Sequence, residues 1–498
     1  MKLRLATAVT ALLGGLLTLP ATAASAAPPP GGLPGITVPT VRWADCGDGW
    51  DCTQLQVPLD YRNPSAGTFP LAVTRKKATT ANRIGALVVN PGGPGGSAIE
   101  FAHSLATDSP LNERFDLAAF DPRGVGQSGS LSCWTAREYS DHYAQAYGRA
   151  GTDEFFPAAA SGKAFVDACN AKYAKLLPYL GTEFTARDMD LVRAALGEEK
   201  ITYYGQSFGT FIGTVYANLF PQRLRLAALD GGYDPDAYTH RPYEADRRQY
   251  LAADAAMKRF FRWCDATPTE CPFGNGNAEG AFVELQQRLD NDPVRTADGR
   301  EIVNGAMVAL RFNLNLGVGK WLWPELGNRL RDLTTKTGVY ATEMYQERTD
   351  YLTQNTVVEC ADRGFTRNLR ILQARLYEHA TAAPILGPAT AYAPPNYDHG
   401  HATACEQWTD AQKSRYTGPW NASGSPDILV VGVVGDPDTP YQDSVTLSDV
   451  LDNGHLLTTE GEGHTGWYNS ACAQSATIDY LTNGTLPAPG TTCPNDTP

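Results

Sequence analysis

Residues 205–209, with the sequence Gly-Gln-Ser-Phe-Gly, constrain the fold more than any other part of this chain. Residues 201–204 before them form the apolar run of a buried strand, and residues 208–219 after them have a helical pattern. A strand that turns straight into a helix needs small residues on both sides of the turn, which then lifts the serine hydroxyl. The segment predicts a sheet with Ser207 at a tight turn as a candidate nucleophile. The alternative is an ordinary glycine turn.

Other apolar runs that end at Gly, Pro or Asp predict the neighbouring strands of this sheet, since buried parallel strands read as continuous apolar runs. They cover residues 54–58, 68–75, 85–90, 115–121, 225–230, 427–435 and 455–461. Predicted helices alternate with them, among them 185–196, with Thr185 as its N-cap, and a terminal helix around 469–482. The alternation predicts an α/β fold, in which a mostly parallel sheet is covered by helices on both faces.

The middle of the chain has a different character. Apolar residues recur at helical spacing in 279–289 and 302–312, while strand-like runs are few. We interpret this part as a largely helical insertion that acts as a lid, because such insertions leave a sheet at the edge where ligands bind. The predicted division is residues 41–232 and 411–498 for the two parts of the α/β core and 233–410 for the lid.

The N-terminus predicts export. Lys2 and Arg4 precede an uncharged stretch, and the small residues 24–26 then offer a cleavage site, so residues 1–26 are expected to be a secretory signal peptide. An uncleaved anchor is the alternative. Residues 27–40 are rich in Pro and Gly and are expected to be a linker or short pro-segment. The mature protein is therefore predicted to be secreted and extracellular.

The ten cysteines agree with an oxidising compartment, because an even number of thiols in an exported chain suggests disulfides. Local spacing favours Cys46–Cys52 and Cys264–Cys271. Three further bridges would use the remaining cysteines, although sequence leaves the connectivity open: Cys133–Cys169, Cys360–Cys405 and Cys472–Cys493. Metal binding is the rival interpretation, but no C-x-x-C pair or Cys/His cluster supports it.

The formal net charge of −13 argues against nucleic acid or an anionic membrane as a partner. We expect no stable membrane association, no metal and no cofactor, and a monomeric protein.

A serine hydroxyl needs a base to remove its proton, and the base needs a group that orients it. His464 is the candidate base, because it follows the last predicted strand on a glycine-rich loop, after the serine and an acid in the chain. Asp436 directly follows the strand 427–435 and is the candidate acid. Asp438 and Asp230 are the alternatives.

An acyl-transfer intermediate needs two N–H donors for its oxyanion. Phe208, the residue after the serine, is expected to supply one, and either Gly92 or Gly93 the other from the loop 90–97. A phosphate-binding loop is the alternative, although the loop lacks the Gly-Lys-Ser/Thr ending of a P-loop. Asp121 and Arg123, in the loop after the fourth strand, are expected to brace the site without reacting.

Together these motifs resemble those of the secreted tripeptidyl aminopeptidases, relatives of the prolyl aminopeptidases in the α/β-hydrolase superfamily. The resemblance covers about residues 40 to 495 and rests on NPGGPGGS, FDPRGVGQS, YYGQSFGT, LDGGYDP, GDPDTPY and GEGHTGW, in that order. Prolyl aminopeptidases usually carry histidine before the paired glycines, where Pro91 stands here, and this favours the tripeptidyl branch. The resemblance implies an α/β-hydrolase fold with a helical lid and serine catalysis without a metal, with Ser207, Asp436 and His464 as the catalytic triad.

The same resemblance implies peptide substrates with a free N-terminus, from which short peptides, tripeptides first among them, are released. Such an enzyme must bind an ammonium group, and buried carboxylates are the physical means. Glu359 and Asp362, which flank Cys360, are the candidates, and surface charges beside a disulfide are the alternative. Two other functions stay open: a secreted esterase or lipase with the same triad, and an inactive binding protein on a hydrolase scaffold.

Overall fold

The structure, a computed structural model, describes residues 35–38, 41–145, 148–149, 152–295, 302–335, 349–395, 400–408 and 412–496. The predicted signal peptide 1–26 lies outside the described residues, as does most of the predicted linker 27–40. Within these ranges, every helix is too short or too polar to cross a membrane.

Of the twelve strands among the described residues, ten form one sheet and two form a separate pair. In chain order the strands are β1 (Ala44–Gly47), β2 (Trp50–Pro58), β3 (Thr68–Lys76), β4 (Gly85–Asn90), β5 (Phe115–Phe120), β6 (Ile201–Gln206), β7 (Leu224–Asp230), the separate pair β8 (Val294–Arg295) and β9 (Ile302–Val303), β10 (Ile428–Gly435), β11 (Gly454–Glu462) and β12 (Thr492–Cys493). The sheet has the order β1-β2-β3-β5-β4-β6-β7-β10-β11-β12. Pairing is antiparallel from β1 through β3 to β5 and parallel from β5 onwards. This confirms the predicted mostly parallel sheet.

Helices cover the sheet and connect its strands along the chain. In chain order they are α1 (Ala98–Asp108), α2 (Leu111–Arg114), α3 (Ala136–Tyr143), α4 (Phe155–Tyr173), α5 (Thr182–Ala195), α6 (Phe208–Leu219), α7 (Pro235–His240), α8 (Pro242–Ala266), α9 (Ala278–Asn291), α10 (Gly305–Val318), α11 (Trp323–Thr334), α12 (Thr349–Asp362), α13 (Leu369–Ala382), α14 (Gly387–Ala391), α15 (Ala402–Cys405), α16 (Tyr441–Val450), α17 (Gly466–Asn469) and α18 (Ala471–Asn483).

The sheet buries alternate side chains on its two faces, because successive residues of a strand point to opposite sides. On β4, Val88 packs with residues of α5, α6 and α16. Its neighbours Leu87 and Val89 pack on the other side with residues of α1 and α18. Both faces are therefore apolar and covered, which accounts for the continuous apolar runs in the sequence.

A third apolar core lies among the helices that come between β7 and β10. It includes Phe260 of α8, Phe282 of α9 and Phe312 of α10. The same core also contains Phe165 of α4, which lies before the Ser207 turn in the chain. The helical layer is thus assembled from two stretches of sequence, and the boundaries 41–232, 233–410 and 411–498 stay a prediction.

Two helix starts differ from the sequence prediction. The helix expected from Thr185 begins at Thr182, because the Asp362 carboxylate of α12 accepts a hydrogen bond from the Thr182 N–H at 2.8 Å and so caps α5 from a distant part of the chain. Residues 302–312 were expected to be helical throughout. Instead β9 takes the first two of them, and α10 starts after Asn304, whose side chain accepts from the Met307 N–H.

All five predicted cysteine pairings are present: Cys46–Cys52, Cys133–Cys169, Cys264–Cys271, Cys360–Cys405 and Cys472–Cys493. Every cysteine of the chain is paired.

Candidate active site

Ser207 occupies the turn between β6 and α6, as predicted. Its backbone has φ 51° and ψ −126°, and a positive φ of this kind is rare in residues other than glycine. The Ser207 N–H donates to the Asp230 carbonyl at 2.8 Å, and the Ser207 carbonyl accepts from the Thr210 hydroxyl at 2.7 Å. These bonds hold the strained turn at the carboxyl end of the sheet.

The glycines beside the serine are there because the backbone packs too closely for side chains. A Cβ atom on Gly209 would lie 2.6 Å from the Asn90 carbonyl oxygen, and one on Gly205 would collide with the Gly209 carbonyl. The turn therefore needs glycine at both positions, which separates it from an ordinary glycine turn.

His464 follows β11 and binds Asp436. Its Nδ1 lies 2.9 Å from Asp436 Oδ2 and 3.1 Å from Asp436 Oδ1. The Asp436 carboxylate also accepts from the N–H groups of Asp438 and Thr439 and from the Thr439 hydroxyl, at 2.8–2.9 Å. A carboxylate with this many donors is rigid, so it fixes the plane and tautomer of the imidazole.

The turn at Ser207, called the serine turn, and the loop that carries His464 after β11, called the histidine loop, meet at the end of β7. Ser207 bonds the Asp230 backbone there, and a Cβ on the next residue, Gly231, would lie 3.1 Å from His464 Cε1. The Asp230 carboxylate accepts from the N–H groups of Gly466 and Trp467, at 2.7 and 2.9 Å. Asp230 therefore anchors the histidine loop, and it is Asp436 that bonds the imidazole.

Carboxylates control the charge of the imidazole. Burial alone would lower the pKa of His464, but the nearby Asp436 carboxylate, followed by those of Asp438 and Asp230, raises it above its ordinary value. Burial raises the pKa of Asp230 to about 6. The site thus stabilises an imidazolium, the state that a histidine base reaches when it takes a proton from serine.

Residues 90–97, called the glycine loop below, lie directly against the Ser207 turn. The geometry of this loop distinguishes the two predicted oxyanion donors, Gly92 and Gly93. A Cβ on Gly92 would lie 2.6 Å from Phe208 N and 2.9 Å from Ser207 Cβ. The Gly92 N–H, however, donates to Asn90 Oδ1 at 2.8 Å. Gly93 is the better candidate for the second oxyanion donor, because the Gly92 N–H already donates to the Asn90 side chain.

Asp121 braces the site, as expected, whereas Arg123 braces the loop after β5 against α5 and the end of β2. Asp121 accepts from the Ser97 hydroxyl at 2.8 Å and from the Gln127 N–H at 2.8 Å, and thereby ties the glycine loop to the loop after β5. Arg123 is buried and makes two hydrogen bonds to Asp188 of α5, at 2.7 and 2.8 Å.

Two segments of the helical layer contact the site, and the sequence did not identify either. The Gly317 carbonyl at the end of α10 accepts from the His464 N–H at 2.6 Å. Tyr351 of α12 lies against Gly93, so that its hydroxyl would be 3.0 Å from a Cβ there, and Asn355 Nδ2 donates to the Pro94 carbonyl at 3.1 Å. Neither segment has a motif, because its position depends on packing alone.

The two predicted amine-binding residues are buried, so they are not surface charges. The Glu359 carboxylate accepts from the Tyr238 hydroxyl at 2.9 Å and from Arg363 at 2.7 Å, and it lines a small cavity that also reaches Thr439. Asp362 points elsewhere, since it bonds the N–H and hydroxyl of Thr182. Of the pair, Glu359 alone lines the cavity beside the candidate triad.

Comparisons with known proteins identify the family. Two family models match, that of the alpha/beta hydrolase fold over residues 85–310 and that of TAP-like proteins over residues 392–493. Serine protease Hip1 of Mycobacterium tuberculosis is 32% identical over 474 residues, which cover 89% of this chain and 87% of that protein. The chain is a TAP-like α/β-hydrolase.

Of two further relatives, one is named as a peptidase and the other as an esterase. Tripeptidyl aminopeptidase of Streptomyces lividans is 27% identical over 92% of this hydrolase and 87% of its own length. Carboxylesterase B of Mycobacterium tuberculosis is 30% identical over 97% of this hydrolase and 96% of its own length. Relatives named as peptidases support a serine peptidase of the α/β-hydrolase family.

Proposed function

We propose that this hydrolase is a secreted serine exopeptidase that releases short peptides, tripeptides first among them, from free N-termini. The observation that carries the proposal is the strained Ser207 turn beside an imidazole that Asp436 orients. Relatives named serine protease Hip1 and tripeptidyl aminopeptidase supply the peptide substrate class.

In the proposed mechanism, Ser207 attacks the scissile carbonyl while His464 takes its proton. The N–H groups of Phe208 and Gly93 stabilise the oxyanion, each contributing about 3–4 kcal/mol to the transition state. His464 then protonates the leaving amine, and a water activated by the same imidazole hydrolyses the acyl-enzyme. Asp436 keeps Nδ1 protonated, so that Nε2 is the nitrogen that faces the reaction.

The free N-terminus requires an anionic partner, and Glu359 is our candidate. Its cavity is lined by four carboxylates, of Asp246, Glu359, Asp438 and Asp443, and by the single guanidinium of Arg363. This excess of negative charge suits an ammonium group. Asp362 was the second sequence candidate, and the two hydrogen bonds that it receives from Thr182 favour a structural role.

Export is part of the proposal. Five disulfides are compatible with an oxidising compartment, and the predicted signal peptide 1–26 would direct the chain there. N-terminal sequencing of protein recovered from the culture medium should begin at Ala27. Retention of residues 1–26 on membrane-bound protein would contradict cleavage.

The first test compares matched p-nitroanilides: Ala-Ala-Pro with a free amine, the same tripeptide with a blocked amine, and single Pro or Ala. A tripeptidyl aminopeptidase cleaves only the free tripeptide. Ser207→Ala should lower kcat by at least about 10⁴-fold, whereas Ser104→Ala, on the exposed face of α1, should leave it unchanged. Normal turnover by Ser207→Ala would refute the nucleophile assignment.

An esterase is the second candidate, favoured by the similarity to carboxylesterase B. It would hydrolyse p-nitrophenyl esters well and none of the peptide anilides, and it would retain the same triad. The third possibility, an inactive binding protein, would fail to react with a fluorophosphonate probe at Ser207.

A further inference from the structure

Asp438 is a second acid beside the candidate triad, and the catalytic steps proposed above do not use it. One oxygen of Asp438, one of Asp436 and a ring nitrogen of His464 all lie within 4.8 Å of one another. Asp438 Oδ1 is buried and has no hydrogen-bond partner among the described residues. Gly317 of α10 lies against Oδ2, so closely that a Cβ there would collide with it.

The charged groups around Asp438 are otherwise occupied. Asp438 lines the small cavity described above, and the guanidinium that lines it, Arg363, is bound by Glu359 and Asp246. A further carboxylate of the cavity, Asp443, is paired with Arg248 at 2.9 Å. The charged groups around His464 are Asp436, Asp438 and Asp230. Among the described residues that face Asp438, His464 is therefore the cation left to balance it.

A buried carboxylate oxygen without a hydrogen bond is costly unless the group is neutral or meets a cation. Burial, the largest effect, raises the pKa of Asp438, and His464 opposes this while Asp436 adds to it. In turn, the Asp438 carboxylate is one of the charges that raise the pKa of His464. The two groups thus stabilise each other's charged forms.

We propose that Asp438 is a positioning residue for His464, a second buried carboxylate that favours the imidazolium and so sets the lower pH limit of hydrolysis. The proposal rests on the assignment of His464 as the base in the proposed function. A base works only when it is neutral in the free enzyme, so a carboxylate that raises its pKa moves the onset of activity to higher pH. Removing that carboxylate should extend activity to lower pH.

The test is the pH dependence of kcat/KM for Asp438→Asn, measured with p-nitrophenyl acetate, which makes no demand on peptide specificity. We expect the acidic limb to move downwards by about one pH unit, the order of effect for a charge about 5 Å away. Glu460→Gln is the control, because Glu460 is an exposed carboxylate on β11 that lies outside this cavity. Its acidic limb should coincide with that of the unmodified protein.

A second substitution separates charge from structure. Asp438→Val fills a similar volume without charge, and Oδ1 has no hydrogen-bond partner to lose. It should fold normally and show the same downward shift as Asp438→Asn. An acidic limb that stays in place in both folded variants would overturn the proposal.

Direct titration of His464 distinguishes failure of this inference from failure of the proposed function. Histidine ring resonances, followed by NMR in Ser207→Ala with and without Asp438→Asn, should show a lower His464 pKa in the double variant. An unchanged His464 pKa would refute only the proposed role of Asp438 and would leave the serine mechanism standing. Failure of a fluorophosphonate to label Ser207 in the unmodified protein would instead refute the serine mechanism.

Discussion

Gly209, in the first turn of α6, has the carbonyl oxygen of Asn90 where a side chain would be. A Cβ atom would approach that oxygen to 2.6 Å, and the oxygen belongs to backbone that cannot easily move. Together with the close approach of Gly92 to Phe208 N, this contact keeps the serine turn close to the glycine loop. Both contacts therefore bear on the distance between the two proposed oxyanion donors, Phe208 and Gly93.

We predict that Gly209→Ala lowers both stability and activity, although alanine is the better helix former by about 1 kcal/mol. The added methyl group must push the two loops apart, at a cost of about 1–3 kcal/mol for overpacking. Melting temperature and kcat/KM for an ester should both fall, the latter at least about tenfold. Gly364→Ala, where the nearest atoms would be 3.6 Å away, is the control and should change neither. Unchanged kinetics of Gly209→Ala would contradict this account of the loop.

At the scale of elements, α12 connects the helical layer to the active site. Tyr351 and Asn355 of this helix contact the glycine loop, and Glu359 lines the cavity near Thr439. Cys360, near its C-terminal end, is joined to Cys405 of α15. The disulfide thus holds the helix that positions one side of the site.

We predict that replacing both Cys360 and Cys405 by alanine reduces the free energy of unfolding by about 4 kcal/mol, from the loop entropy of a bridge that spans 45 residues. Replacing Cys46 and Cys52, which are only 6 residues apart, should cost about 2 kcal/mol. Urea unfolding measures both values. Activity should fall only in the first variant, because the second bridge joins β1 to β2 at the far edge of the sheet. Equal losses of activity would show that α12 does not depend on its bridge.

For the whole molecule, His464 and buried carboxyl groups together determine how stability depends on pH near neutrality. Burial would lower the pKa of His464, but the nearby carboxylates, Asp436 first among them, raise it to about 10. Burial, the largest cause in each case, raises the pKa of Asp362 to about 7 and those of Asp230 and Asp443 to about 6. Because these pKa values are higher in the folded than in the unfolded chain, the folded state binds protons more tightly. Their contribution is complete at low pH and is lost as pH rises through the folded pKa.

We therefore expect the melting temperature to rise as pH falls from about 8.5 to 6.5. His142 and His379, whose pKa values burial lowers, oppose this trend only near and below their ordinary value of 6.5. Asp362→Asn removes one of the responsible protons, so its melting temperature should vary less over the same range. Thermal unfolding at several pH values measures this. A melting temperature that falls on acidification within that range would contradict the assignment of these groups.

Features that depend on local geometry could be predicted from residue types and their order. The Ser207 turn needs glycine on both sides, and the chain order of serine, acid and histidine follows from the strands that carry them. The strands of the parallel sheet were readable because both faces are buried, which makes each strand a continuous apolar run. For these reasons the fold, the placement of Ser207 and the pairing of His464 with Asp436 agree with the sequence prediction.

Features that depend on contacts between distant segments became visible only in the folded chain. Asp362 follows Glu359 by three residues, yet it caps α5, because α12 brings it to the Thr182 N–H. Gly92 and Gly93 are alike in sequence, and the Asn90 side chain distinguishes them by engaging one N–H. Asp438 competed with Asp436 as the acid, and packing against Gly317 left it buried beside His464 without a hydrogen bond to Oδ1. Burial and hydrogen-bond partners, which determine these roles, are set by the packed chain and have no local signature.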